Sequence, residues 1–155
     1  MSETSAPSPK PRPTLVVGYD GSEASRAALL YAARQAGSHG LVIIVHSYAL
    51  SDDLLRWPNY GQLLSERRAL GRSLLDELPL ADGALAGPRY ETELIGGPAA
   101  PAIADVALDR HADEIVVGAR GVGRLRALLG SVTTELLHLA DRPVVVIPTA
   151  GIRPD

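Results

Sequence analysis

A glycine-rich segment in the C-terminal third of the chain carries the residue types best suited to bind an anion. Residues 116–132 begin with an apolar run, continue through glycines and three arginines, and end with Gly130 and Ser131 at the start of a helical pattern. Glycines let a ligand approach the backbone closely, and the unpaired N–H groups at the start of a helix favour negative charge. Arginine forks suit phosphate oxygens. These residue types together predict a phosphate site.

Two common phosphate-binding motifs are absent from the chain. A Rossmann dinucleotide site needs G-x-G-x-x-G after the first strand, whereas the turn at residues 18–21 reads G-Y-D-G. A P-loop needs G-x-x-x-x-G-K-[ST], and the only lysine of this chain is Lys10. We therefore exclude a P-loop NTPase, and the missing lysine favours binding of a phosphate compound over its turnover.

Composition narrows the class of protein further. The 155 residues fit one domain, and the net charge of −3 argues against a general nucleic-acid surface. The chain has no cysteine, which excludes disulfides and thiol catalysis and is compatible with the cytoplasm. No apolar run approaches the length of a membrane span. The four histidines are scattered without metal-ligand spacing, so we expect no protein-ligated metal.

Strand and helix patterns alternate between Thr14 and Ile147. Short apolar runs predict five strands, and the amphipathic segments between them predict four helices. This order implies a single α/β domain with a five-stranded parallel sheet and helices on both faces. The predicted strands are 14–19, 41–45, 89–95, 115–117 and 143–147, and the predicted helices are 24–36, 62–78, 99–110 and 131–140.

The second predicted helix is amphipathic. Leu63, Leu70, Leu74 and Leu78 supply the apolar side of that helix, which we expect to end before a proline.

Residues 1–12 are rich in Ser and Pro and predict a disordered tail. The domain is expected to span residues 13–150, and residues 151–155 to form a short C-terminal tail.

Two loops of this predicted sheet are conspicuous. Sheets of parallel strands bind ligands at the carboxyl ends of the strands, near a switch in strand order. Residues 18–20 follow the first strand, and residues 118–130 follow the fourth. We therefore expect both loops to face one crevice.

The segments around these loops resemble the universal stress protein family over residues 14–148. The resemblance rests on Gly118-x-x-Gly121, eight residues and Gly130-Ser131, on V-V-G-Y-D-G-S at residues 16–22, and on A-D-R-P-V-V-V-I-P at residues 140–148. The ATP-binding branch of the family has nine residues where this chain has eight. The resemblance implies a Rossmann-like fold of the adenine nucleotide alpha hydrolase type. It also implies a cytoplasmic stress-response module that binds ATP and hydrolyses it slowly or not at all.

The resemblance also implies which residues bind the nucleotide. Asp20 would hydrogen-bond the ribose, while residues 18, 19, 47, 117 and 118 would border the adenosine. Residues 121 and 130–132 would hold the phosphates, which would carry Mg²⁺ together with water. Arg120 is added on physical grounds, since a guanidinium beside the motif suits phosphate. The predicted set is Gly18, Tyr19, Asp20, Ser47, Val117, Gly118, Arg120, Gly121, Gly130, Ser131 and Val132.

These residues also have structural interpretations. Gly118 would suit close packing at a strand end, and Asp20 or Ser131 would suit a helix cap. For the whole protein, the alternative is a dimeric interaction scaffold that binds no ATP, or that holds AMP or cyclic AMP. An ATP-hydrolysing enzyme is a third hypothesis.

Association of two copies is expected as well. The segment Pro143–Ile147 is apolar throughout, and an exposed apolar edge strand invites pairing. The resemblance implies an antiparallel homodimer through this strand. The further protein partner of such a module is unknown, and neither nucleic acid nor membrane is expected as a partner.

Overall fold

The computed structural model of the chain describes residues 12–78, 83–119 and 129–148. Strands and helices alternate within these residues, as the sequence predicts. Most of the predicted N-terminal tail and residues 149–155 lie outside the described residues. The elements are β1 Thr14–Gly18, α1 Glu23–Ala36, β2 Leu41–Tyr48, α2 Tyr60–Asp76, β3 Arg89–Gly96, α3 Ala99–Asp109, β4 Glu114–Gly118, α4 Ser131–Leu139 and β5 Val144–Ile147.

The five strands form one parallel sheet in the order β3-β2-β1-β4-β5. Val16 of β1 pairs with Ile43 of β2 on one side and with Ile115 of β4 on the other. The strand order therefore reverses between β1 and β4. In an open α/β sheet this switch point opens a crevice at the carboxyl ends of the two strands.

Helices cover both faces of the sheet, which confirms the predicted architecture. One buried cluster joins Val17 of β1 to Leu29 of α1 and Leu75 of α2. The other joins Val16 to residues of α3 and α4, among them Ile103. Alternate residues of β1 thus enter opposite cores, which explains why its sequence is apolar without alternation.

The end of β2 and the start of α2 differ from the prediction. β2 runs three residues beyond the predicted end at Val45, because Tyr48 still pairs with Gly96 of β3. α2 begins at Tyr60 and ends at Asp76, before the predicted end at Leu78. In the segment before α2, for which no strand or helix is predicted, residues 52–54 form a short 3₁₀ turn. None of the helices within the described residues is long and apolar enough to cross a membrane.

The predicted apolar side of α2 was wrong at Leu70. This side chain is 69% exposed, whereas Leu75 is 2% exposed. The two residues lie about 140° apart around the helix axis, so they cannot share one face. Gly71 is buried instead and lies against the sheet. The helix thus places a residue without a side chain where a large one would not fit.

Arg110 fixes the C-terminal end of α3 to β3. Its guanidinium donates hydrogen bonds to the carboxylates of Glu91 and Glu93. The hydrogen bond with Glu91 and the charge of that carboxylate, followed by the hydrogen bond and charge of Glu93, raise the pKa of Arg110 above its ordinary value. Because all three side chains are partly exposed, solvent screens the pairs and their contribution to stability is small.

Two glycines of α2 give a matched pair of stability predictions. A Cβ at Gly71 would lie 2.7 Å from His46 Cδ2 and 2.8 Å from Leu94 Cδ1, whereas a Cβ at Gly61 meets nothing within 4 Å. We expect Gly71→Ala to lower the free energy of unfolding by about 1–2 kcal/mol, because overpacking outweighs the gain in helix propensity. Gly61→Ala should raise it by about 0.5 kcal/mol. Urea denaturation of both variants checks this, and a stabilised Gly71→Ala would contradict the packing described here.

Candidate functional site

A cleft of about 150 Å³ opens where β1 and β4 end. Its walls come from the carboxyl ends of three strands and from the N-terminal ends of α1, α3 and α4. The first loop singled out in the sequence lines this cleft, and so do Gly118 and Gly130 at the two ends of the second, as expected from the switch point. The lining residues are Gly18, Tyr19, Asp20, Ser22, Ala24, Ser25, Val45, His46, Ser47, Ala99, Ile103, Val117, Gly118, Gly130, Val132 and Thr133.

Most of the residues predicted to bind the nucleotide meet in this cleft. Ser131 is not in its lining; it is exposed and is the first residue of α4. Arg120 and Gly121 lie outside the described residues. The predicted residues that line the cleft are Gly18, Tyr19, Asp20, Ser47, Val117, Gly118, Gly130 and Val132.

The two strand-end glycines allow the walls of the cleft to pack closely. A Cβ at Gly118 would lie 2.4 Å from the backbone carbon and oxygen of Ala24, at the start of α1. A Cβ at Gly18 would lie 2.7 Å from Ile103 Cδ1 in α3. Only a glycine at 118 lets β4 and α1 approach in this way. Gly118 therefore has the close-packing role considered for it, and its backbone lines the cleft as well.

Tyr19 presents its backbone, rather than its ring, to the cleft. Its side chain is 5% exposed and packs in the core shared with α1 and α2. Its N–H donates to the Val45 carbonyl at 2.9 Å, and its own carbonyl oxygen lies 2.8 Å from Nδ1 of His46. The bulky ring thus stays out of the space above the strand ends.

The turn after β1 holds the carboxylate of Asp20 at the mouth of the cleft. Ser22 is the N-cap of α1, and its Oγ accepts from the N–H of Ser25 at 3.2 Å. Asp20 itself accepts the N–H of Ser22 on Oδ1 at 3.0 Å. Gly21 has φ of +80°, a conformation that glycine adopts without strain. The helix cap is therefore Ser22, and the exposed Asp20 shapes the turn before it.

The N-terminus of α4 supplies backbone donors on the opposite wall. Its N-cap is Gly130, which has no side chain to cap the first turn, so the prediction of Ser131 as N-cap was wrong. Thr133 is 2% exposed, and its Oγ1 donates to the Gly118 carbonyl at 3.4 Å. The N–H groups of the first helical turn and the helix dipole favour an anion at this position.

Eight lining residues are not in the set predicted from the sequence. Most of them lie in the first turns of helices, where no motif indicates them, and His46 was considered only as one of four scattered histidines. The signal that could have indicated His46 is its position directly before Ser47, a predicted site residue near the carboxyl end of a strand. The residues missed in this way are Ser22, Ala24, Ser25, Val45, His46, Ala99, Ile103 and Thr133.

The described residues contain no cluster of three or more His, Cys, Asp or Glu side chains able to hold a metal ion. Asp20 is the acidic residue of the cleft lining, and His46 is its histidine. What the cleft offers a ligand is therefore backbone donors, small side chains, one carboxylate and an apolar floor at Val117 and Ile103. This set suits a neutral ring system with a sugar and an anionic end.

Comparison with known proteins agrees with this fold. Residues 12–148 match the universal stress protein family. A universal stress protein of Thermus aquaticus is 32% identical over 136 residues, which cover 86% of this chain and 97% of that protein. A universal stress protein of Mycobacterium tuberculosis is 35% identical over 142 residues, which cover 86% of this chain. The chain spans 46% of the length of that mycobacterial relative.

Solved structures share the fold. A universal stress protein from Lactobacillus plantarum superposes with a TM-score of 0.71 at 24% identity, covering 88% of this chain and 97% of that one. A universal stress protein from Archaeoglobus fulgidus in complex with dAMP gives 0.56 at 24% identity, covering 87% and 97%. A universal stress protein in complex with cAMP gives 0.56 at 23% identity, covering 87% and 95%. The matched residues contain every strand and helix described above, and the chain belongs to the universal stress protein family.

Proposed function

We propose that the cleft between β1 and β4 binds ATP, and that the chain acts as a nucleotide-dependent regulatory module in a stress response. The observation that carries this proposal is the meeting of Asp20, Gly118 and the N-terminus of α4, where the N-cap is a glycine, at one switch point. A carboxylate suits ribose hydroxyls, and a helix N-terminus suits phosphates. The two ends of the cleft therefore match the two polar parts of a nucleotide.

The adenosine half fits the apolar side of the cleft. Val117 is buried at its floor, and Ser47 also lines the cleft, near the carboxyl end of β2 where it pairs with Ile95 of β3. Two fold neighbours are described in complex with adenine nucleotides, cAMP in one case and dAMP in the other. Both observations support adenine as the base.

The phosphate half is assigned to the N-terminus of α4. Gly130, Ser131 and Val132 present the backbone there, and Arg120 and Gly121 would complete the loop. A Mg²⁺ ion would be held by the phosphates and water, in keeping with a described cleft in which Asp20 is the acidic residue. The ion would neutralise phosphate charge, and the residues of the cleft position the nucleotide.

ATP is favoured over the smaller nucleotides by the glycine motif that runs from Gly118 to Ser131. AMP and cyclic AMP remain the second candidate, since the ligands named for the two neighbours carry a single phosphate. In that case the chain would still use Asp20 and the floor at Val117. The choice between these ligands therefore depends on how much binding energy the β- and γ-phosphates add at α4.

Calorimetric titration with ATP, AMP, cyclic AMP and GTP, each with and without Mg²⁺, tests the proposal. We expect ATP to bind most tightly and GTP to bind at least about 10-fold more weakly, because a guanine amino group would be buried without a partner. Equal affinity for ATP and AMP would transfer the proposal to AMP. A parallel phosphate-release assay should show slow or no turnover, and fast Mg²⁺-dependent release would favour an enzyme.

We further propose that two copies pair through β5. This strand lies at the edge of the sheet. The carbonyls of Pro143 and Ile147 accept N–H groups of residues at the two ends of β4. Because backbone groups alternate in direction along a strand, those of Val144 and Val146 point away from β4. Leu137 and Leu139 of the adjoining helix α4 are about half exposed. An open apolar edge of this kind favours pairing with a second copy.

A proline at position 146 tests this pairing. Val146→Pro removes an N–H that points away from β4, so it should leave the β4 ladder intact and block pairing at the edge. We expect the variant to be monomeric by light scattering at micromolar concentration, where the unmodified chain and the control Val146→Thr are dimeric. A dimeric Val146→Pro, or a monomeric unmodified chain, would contradict pairing through β5.

A further inference from the structure

The peptide group between Tyr19 and Asp20 is held at both of its polar atoms by side chains. Its carbonyl oxygen lies 2.8 Å from Nδ1 of His46. Its N–H donates to Oγ of Ser25 at 3.4 Å, and that hydroxyl donates onward to the Ser22 carbonyl at 3.0 Å. We call this arrangement of His46 and Ser25 the peptide clamp. It joins the end of β2 and the start of α1 to the residue that carries the cleft's carboxylate.

The direction of each hydrogen bond in the peptide clamp follows from its chemistry. A carbonyl oxygen only accepts, so we assign the proton to Nδ1 of His46. Because the Ser25 hydroxyl uses its proton on Ser22, it meets the Asp20 N–H as an acceptor. Both side chains therefore act on the same peptide plane without competing for a proton. Rotation of that plane would break both bonds.

The position of the His46 ring requires a glycine in α2, the helix that packs against it. Gly71, in the interior of α2, lies where a Cβ would come within 2.7 Å of Cδ2 and 3.2 Å of Nε2 of His46. A glycine inside a helix is unfavourable relative to alanine. The ring of His46 thus packs against a position of α2 that carries no side chain. Packing of this kind restricts the ring to one orientation, with Nδ1 towards Tyr19.

We propose that His46 and Ser25 are positioning residues for Asp20 in nucleotide binding, an inference that rests on the function proposed above. The peptide plane before Asp20 sets the direction in which its Cα–Cβ bond leaves the backbone. Fixing that plane, together with the bond from the Ser22 N–H to Oδ1, holds the carboxylate in the geometry that receives the ribose. Preorganisation of this kind lowers the entropy lost when the ligand binds. Neither positioning residue needs to touch the nucleotide to act in this way.

Three variants separate this role from plain stability. His46→Leu removes the donor, while His46→Asn places an amide nitrogen where Nδ1 stands and should restore the bond. Ser25→Ala removes the bond on the other side of the same peptide and serves if His46→Leu does not fold. Amide exchange measured by NMR without nucleotide should be at least about 5-fold faster at Asp20 in His46→Leu and in Ser25→Ala, and near the unmodified rate in His46→Asn.

ATP affinity provides the second readout. We expect His46→Leu to weaken ATP binding about 3- to 10-fold, the equivalent of one hydrogen bond, and His46→Asn to restore it to within about 2-fold. In an Asp20→Asn background, His46→Leu should change the affinity by less than about 2-fold, since the group that it positions is already lost.

Each contrary outcome overturns a different part of the inference. Unchanged exchange at Asp20 in both His46→Leu and Ser25→Ala would overturn the peptide clamp itself, whether or not ATP binds. The same loss of affinity with and without Asp20→Asn would overturn the positioning role and leave His46 a structural residue. If exchange changes but the unmodified chain binds no adenine nucleotide, the proposed function fails and the positioning role fails with it.

Discussion

Gly118→Ala should lower the free energy of unfolding by about 3 kcal/mol, the largest effect expected from a single methyl group at the glycines whose surroundings the structure describes. The new Cβ would lie 2.4 Å from the backbone carbon and oxygen of Ala24. Backbone at the start of a helix cannot rotate away as a side chain does, so β4 and α1 must separate. Overpacking that displaces elements costs about 1–3 kcal/mol and occasionally more. Urea denaturation with comparison of midpoints at constant m-value measures the change.

Gly18→Ala provides the matched control for Gly118→Ala. Its Cβ would meet Ile103 Cδ1 at 2.7 Å and Val117 Cγ1 at 3.3 Å. The nearer atom is the tip of a flexible side chain, which can change rotamer, so we expect a loss of about 1 kcal/mol. Equal losses at the two glycines, or a loss below about 1 kcal/mol at Gly118, would show that β4 and α1 are not in the contact described here.

Asp20→Asn should weaken ATP binding about 10- to 100-fold while leaving the fold unchanged. The asparagine oxygen can still accept the Ser22 N–H that Oδ1 accepts now at 3.0 Å, so the turn is kept. The second carboxylate oxygen becomes an amide group, which donates and cannot accept from a ribose hydroxyl. Loss of a hydrogen bond to a charged group corresponds to about 1.5–3 kcal/mol. Calorimetric titration of the variant with ATP gives the change in affinity.

Asp105→Asn is the control for the loss of one negative charge. Asp105 is an exposed residue of α3 that is absent from the cleft lining, so its substitution should change ATP affinity less than about 2-fold. A similar loss in both variants would assign the effect to overall charge. An Asp20→Asn variant with unchanged affinity and unchanged stability would remove Asp20 from the nucleotide site.

The sequence predicted the fold because its signals are local and repeated. Apolar runs such as those of β1 and β4 arise from burial on both faces of a parallel sheet, and their alternation with amphipathic segments leaves few topologies. The prediction for Leu70 was wrong because the presence of a leucine does not show which face of the helix packs against the sheet. Packing against His46 and Leu94 gives that place to Gly71, and such a contact cannot be read from one helix.

The residues of the candidate site could be predicted only where the residue type itself has a distinctive property, such as the backbone freedom of glycine or the charge of aspartate. Asp20 and the glycines stand out at the ends of predicted strands, which is why the cleft was expected between them. His46, Ser25 and Thr133 act through side-chain hydrogen bonds that depend on the exact approach of two elements. Such hydrogen bonds are not accompanied by a recognisable spacing of residues in the sequence, so these residues can be identified only in the folded structure.

Chemical-shift mapping by NMR, with Mg²⁺-ATP titrated into the unmodified chain, tests whether the cleft between β1 and β4 binds an adenine nucleotide. We expect saturable shifts of the amides of Ser47, Gly118 and Val132, which lie on different walls of the cleft. We also expect unchanged amides at Arg89 and Glu91 of β3, at the far edge of the sheet. No shifts at millimolar ATP, or shifts confined to residues outside the cleft, would contradict the assignment of the cleft between β1 and β4 as an adenine-nucleotide site.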